Sequence, residues 1–191
     1  MAIPIPARPS GYRLGQPNAP IAVEMFLDLE CPFSKRGWNN AMKVARAYSS
    51  EQVRWTFQLM TLGNHRQSWD ATKAVMAVAG EDADKFVAFT THLFSKQEEF
   101  ANEAWQDRTQ TDFNQWLADR ASAATEYKDK VKFIELLNSK AVYAAARIPA
   151  RHAIVTGVWS TPTFFINGAE ATSLSSGSSL EAWKAVIDPL L

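Results

Sequence analysis

The chain has 191 residues, of which 47% are hydrophobic and 12% aromatic, enough apolar side chain to close a core as one domain or one domain carrying an insertion. Lys and Arg number 20 and Asp and Glu 20, spread along the chain for a formal net charge of zero, so no overall cationic field draws it to nucleic acid or an anionic membrane. No apolar run approaches the roughly 20 residues that span a bilayer, and Met1 to Gly15 lacks the charged start and apolar stretch of a secretion signal, so a soluble, cytosolic protein is expected.

Ala2 to Pro20 holds five of the nine prolines and reads as an extended arm with at most a short edge strand near Tyr12 to Leu14. Ile21 to Asp28 is a β-branched and apolar run that suits a buried strand. Pro32 then marks a helix start, because its missing N–H would be unpaired in a first turn, and Trp38, Met42 and Ala45 carry the helical spacing on to about Tyr48. Val53, Trp55, Phe57 and Leu59 alternate with Arg54, Thr56 and Gln58, the clearest strand in the chain. From Ser68 to Arg147 the period turns helical, with about four helices expected from the apolar spacing and a capping box over Thr109 to Asp112. Thr163 to Ile166 is a short strand that turns at Asn167-Gly168 towards Ala171 to Leu174, Ser173 to Ser179 reads as a flexible loop, and Leu180 to Leu191 as a closing helix.

The single cysteine, Cys31, excludes an intrachain disulfide and the Cys-rich zinc and iron–sulfur centres. His65, His92 and His152 lie far apart with no His-Glu-x-x-His spacing, so no metal site is expected. An isolated cysteine is more often a small buried hydrophobe than a nucleophile. Cys31, however, stands where a strand meets a helix, and unpaired first-turn N–H groups and the positive end of the helix dipole favour the nucleophilic thiolate there. Asp28 and Glu30 flank the turn, and their charge opposes that effect.

Two segments together resemble the DsbA-like thioredoxin-fold family. Phe26-x-Asp28-x-x-Cys31-Pro32-Phe33 is similar to its strand-to-active-site segment, and Ser160-Thr161-Pro162-Thr163-Phe164-Phe165-Ile166-Asn167-Gly168 to its cis-proline loop and following strand. The resemblance covers Gly15 to Leu191 and implies an α/β thioredoxin fold with a central mixed sheet and an inserted all-helical domain. The arm would then span 1–14, the thioredoxin-like domain 15–63 and 152–191, and the insertion 64–151. Cys31 would be the attacking thiol, with Thr161-Pro162 a cis peptide whose Thr161 backbone bonds an extended substrate as an added strand.

Two departures alter what the family implies. Ser34 replaces the usual second cysteine, and Met25, with Glu24 one position earlier, replaces an acid on the buried strand. A hydroxyl cannot carry out thiol–disulfide exchange, so the expected chemistry is monothiol: Cys31 attacks a disulfide, and glutathione or a substrate thiol resolves the adduct. Ser34, one turn on, is expected to hydrogen-bond the thiolate. Pro32, Phe33, Thr161, Pro162, His65 and Trp159 are the candidate substrate contacts. His65 follows the second strand and would polarise the thiol or meet substrate if the two strands are parallel, or else cap a helix or face solvent. The remaining tryptophans read as core.

The expected partner is a protein or peptide disulfide, or glutathione as cosubstrate, with no tightly bound cofactor. Ser34 also gives a resemblance to the kappa-class glutathione transferases and related isomerases, which typically carry serine at the position of Cys31. A third reading is a non-catalytic module that holds an extended peptide beside Pro162.

Overall fold

A computed structural model describes residues 5–125 and 127–191. The first four residues of the arm lie outside it. Five strands form one mixed sheet in the order β1-β3-β2-β4-β5. At its centre β2 (Ile21–Leu27) runs parallel to β3 (Val53–Leu59), with Ile21 opposite Val53 and Leu27 opposite Leu59. β1 (Tyr12–Leu14) is the antiparallel edge on β3, and β4 (Thr163–Ile166) is antiparallel to β2.

The period-two pattern gives each central strand two faces. On one, Val23, Met25, Trp55, Phe57 and Phe164 join a continuous core with Trp38 of α1 (Pro32–Ala47) and Trp183 of α7 (Leu180–Ile187). Aromatic edges meet there: Trp38 lies 4.9 Å from Phe57, and Trp183 5.0 Å from Phe164, centroid to centroid. On the other face Phe26 and Met60 form a smaller cluster with Ala153 and Val158.

Between β3 and β4 come α2 (Ser68–Ala79), α3 (Ala83–Ser95), α4 (Gln110–Ala124), α5 (Lys130–Leu137) and α6 (Lys140–Val155), with 3₁₀ turns at Gln97–Glu99 and Asn102–Trp105. Among the described residues there are thus five α-helices where the apolar spacing gives four, because Ser139 caps α6 as a separate element and divides Val131, Ile134 and Leu137 of α5 from Ala141. The capping box at Thr109 and Asp112 is formed.

Two other details differ from the sequence reading. The hairpin partner of β4 is β5 (Ala169–Glu170), directly after Asn167-Gly168, and the expected Ala171 to Leu174 stretch joins it at Ala171, whose N–H donates to the Phe164 carbonyl at 2.9 Å. Both turn residues have positive φ, 49° and 84°, so the turn takes only two residues and the strand resumes at once. The serine-rich loop is anchored: Ser176 is buried, accepting from Arg36 Nε and Nη2 at 3.0 and 2.6 Å, and its carbonyl accepts from Asn40 at 2.9 Å. The closing helix ends at Ile187 and continues as a 3₁₀ turn over Asp188–Leu190.

Candidate active site

The end of β2 leads through Asp28, Leu29 and Glu30 to Cys31, the N-cap residue of α1, with Pro32 at the first helical position. Among the described residues the Cys31 side chain makes no capping hydrogen bond to this helix. Cys31 is 3% exposed, between exposed Pro32 and Phe33 outside and Ser34 inside. Its thiol donates to the carbonyl of Thr161 at 3.3 Å, across the peptide bond that is cis to Pro162. The two motifs, 130 residues apart in the chain, therefore meet at one sulfur.

Gly37 permits the approach. A Cβ there would stand 2.8 Å from Pro162 Cγ and 3.1 Å from Met25 Cε, so α1 lies directly on the proline ring. Met25 supplies apolar packing beneath the helix, at the position where the resemblance expects an acid.

The acids lie closer to Cys31 in the chain. Asp28 is fully buried: Oδ1 accepts from Glu30 N–H at 2.8 Å, and Oδ2 accepts from Leu62 N–H at 2.6 Å and lies 3.0 Å from His65 Nδ1. Contact with Asp28 raises the His65 pKa above its ordinary value, against the opposing effect of burial. Glu30 is also buried, and its Oε2 accepts from Gln67 N–H at 2.9 Å. Burial raises its carboxyl above the usual range, although the Gln67 N–H opposes the shift.

β2 and β3 are parallel, so the loop after β3 brings His65 to the end of the sheet that carries Cys31. There it pairs with Asp28 and lines a cavity of about 320 Å³ with Glu30, Pro32 and Gln97. Ser34 is not turned to the sulfur. Its Oγ accepts from Asp28 N–H at 3.1 Å, and among the described residues no hydrogen bond joins it to Cys31. A buried hydroxyl at the start of a helix is drawn to the nearest unpaired amide, here the one at the end of β2. Trp159 is 84% exposed, just before the proline loop. His152 lies away from this end, with Nε2 3.0 Å from Glu24 Oε1. Among the described residues no group of three or more His, Cys, Asp or Glu side chains is arranged to hold a metal ion.

Gln97 is a site residue that sequence reading misses. Its Nε2 donates to the carbonyls of both Leu29 and Cys31 at 2.9 Å, from the 3₁₀ turn that follows α3. The insertion thereby holds the backbone of the nucleophile. Nothing local distinguishes this glutamine in the sequence, because its partners are 68 and 66 residues away.

Residues 8–189 match a family model described as Thioredoxin. The chain belongs to the thioredoxin family. Among solved structures, BdbD from Bacillus subtilis superposes with a TM-score of 0.74 at 21% identity, covering 95% of each chain. A candidate protein-disulfide isomerase from Pseudomonas syringae gives 0.80 at 22% identity, over 93% of this chain and 97% of that one. α-DsbA1 from Wolbachia pipientis gives 0.75 at 20% identity, over 98% and 92%. This member of the thioredoxin family therefore has the DsbA-like form of the fold, with its helical insertion. Curated relatives from Mycobacterium, described as Na(+)/H(+) antiporter NhaA 1, are 26% identical over 155 residues, which is 81% of this chain but only 23% of theirs.

Proposed function

We propose that this protein is a thiol–disulfide oxidoreductase that works through Cys31 alone. The observation that carries the reading is the Cys31 thiol at the uncapped start of α1, bonded to the Thr161 carbonyl of the proline loop. The free first turn of the helix offers its amides and positive end to negative charge on the sulfur.

In the first step the Cys31 thiolate attacks one sulfur of a protein or peptide disulfide. A mixed disulfide forms and the other sulfur leaves as thiolate. Cys31 then has no S–H to donate, so the Thr161 carbonyl is free to accept an N–H from the bound chain. Ser34 cannot attack the adduct, so an external thiolate does: glutathione or a substrate thiol takes the bound sulfur into a new disulfide and returns Cys31 as thiolate. Electrons balance without another oxidant.

The test follows glutathione-dependent turnover of a small mixed disulfide. Wild type is expected to turn over and to give a trappable adduct of one glutathione on Cys31, and Cys31→Ser to give neither. Equal turnover in Cys31→Ser would overturn the reading. A native thiol that does not react, in a protein that still binds extended peptide, would leave a binding module in its place.

A further inference from the structure

A net charge of zero hides an uneven distribution. Between Lys140 and Trp159 there are three Lys and Arg and no Asp or Glu. Most of that segment is α6, whose buried face is Val142, Ala146, Pro149 and Ala153. Lys140, Arg147, Arg151 and Ile154 recur three, four and seven residues apart, which puts them together on the opposite face. Tyr143 belongs to the same stripe, with the Arg147 guanidinium 5.6 Å from its ring centre.

The stripe ends in large apolar side chains. Ile154 is 74% exposed and Val155 68%. Val158 N–H donates to the carbonyl of Ala153 at 2.9 Å and its side chain is buried beside Phe26, so the chain turns back on the helix end and presents Trp159 there, 84% exposed. The face is therefore about 24 Å long, basic along its length and apolar at its tip, with an indole that favours the boundary between water and hydrocarbon.

We propose that this outer face of α6 docks on an anionic lipid bilayer, with exposed Lys140 and Arg151 against the headgroups and Ile154, Val155 and Trp159 inserted at the acyl boundary. The charge decides between this occupant and a protein. A row of one sign along a whole helix needs a partner that is negative at every spacing, which a plane of lipid phosphates supplies without matched side chains. Ser160 to Pro162 follow Trp159 directly, so the seated protein would hold Cys31 near the membrane surface.

Co-sedimentation of the full chain with phosphatidylglycerol–phosphatidylcholine vesicles at low salt, and with phosphatidylcholine alone, tests the proposal. Binding is expected only to the anionic vesicles and should fall as salt rises. Lys140→Gln and Arg151→Gln, both at exposed positions, should each weaken it about fivefold. Trp159→Ala should weaken it about tenfold or more, with the unfolding midpoint of all three unchanged. Cys31→Ser should bind like wild type, so loss of the redox reading would leave this one standing. No binding to either vesicle, equal binding to both, or full binding by the three variants would each overturn it.

Discussion

At the residue scale, the chemistry around Cys31 depends on how two buried carboxyl groups are satisfied. Asp28 has backbone donors at both oxygens and His65 beside it, whereas Glu30 accepts from the Gln67 amide and is buried next to Asp28. Its raised pKa has a consequence for stability. The unfolded chain ionises near the ordinary value of 4.5 and the native chain above it, so the native state loses stability as pH rises through the folded value and has lost none below 4.5. Glu30→Gln keeps an acceptor for Gln67 and removes the charge. It is expected to raise the urea midpoint at pH ~7 and to leave it unchanged near pH ~4, where both side chains are neutral. An equal gap at the two pH values would show that packing, not charge burial, is responsible. The sequence displayed Cys31, Pro32 and both acids, because all stand in one short motif. Of the partners that hold them it displayed His65, through the parallel strands, but not Leu62, Gln67 and Gln97, which reach the site only through the fold.

At the element scale, the contact between α1 and the proline loop sets how close the two halves of the site come. Gly37 is buried inside a helix, a position where alanine would normally add about 1 kcal/mol of helix stability. Here the added Cβ would fall 2.8 Å from the Pro162 ring, which cannot fold out of the way as a flexible side chain could. Gly37→Ala is therefore expected to destabilise by about 1 to 3 kcal/mol, as overpacked cores do, and to lower exchange activity through a displaced loop. A more stable Gly37→Ala protein with full activity would contradict that packing. The strands, α1 and the capped start of α4 were legible because each rests on local spacing: Val53 to Leu59 alternates, and Thr109 bonds Asp112 three residues on. The break between α5 and α6 is not legible because Val131, Ile134, Leu137 and Ala141 keep helical spacing across it, and the anchoring of the Ser173 to Ser179 loop is not because its partners are Arg36 and Asn40, about 140 residues away.

At the scale of the whole molecule, the insertion and the sheet share one core. Trp38 leaves α1 to meet Phe57 of β3 on one side and Phe86 and Phe94 of α3 on the other, and its indole N–H donates to Thr91 of α3 at 3.0 Å. Tyr12 on the edge strand stacks on Phe86 at 4.1 Å. Phe86 is fully buried between these rings, so it belongs as much to the sheet as to its own helix. Removing it should cost about 3 to 5 kcal/mol, felt by both parts at once. In urea, far-UV circular dichroism follows chiefly the helices, while exchange of the backbone amides paired between β2 and β3 follows the sheet. The two transitions are expected to coincide in wild type and to move down together in Phe86→Ala, as in a single cooperative unit. If Phe86→Ala instead lost helical signal well before the β2 and β3 amides became exchangeable, the insertion would be a separate unit docked on the sheet. Gln97, which crosses that boundary to hold the Cys31 carbonyl, would then be a contact between two units instead of part of one interior.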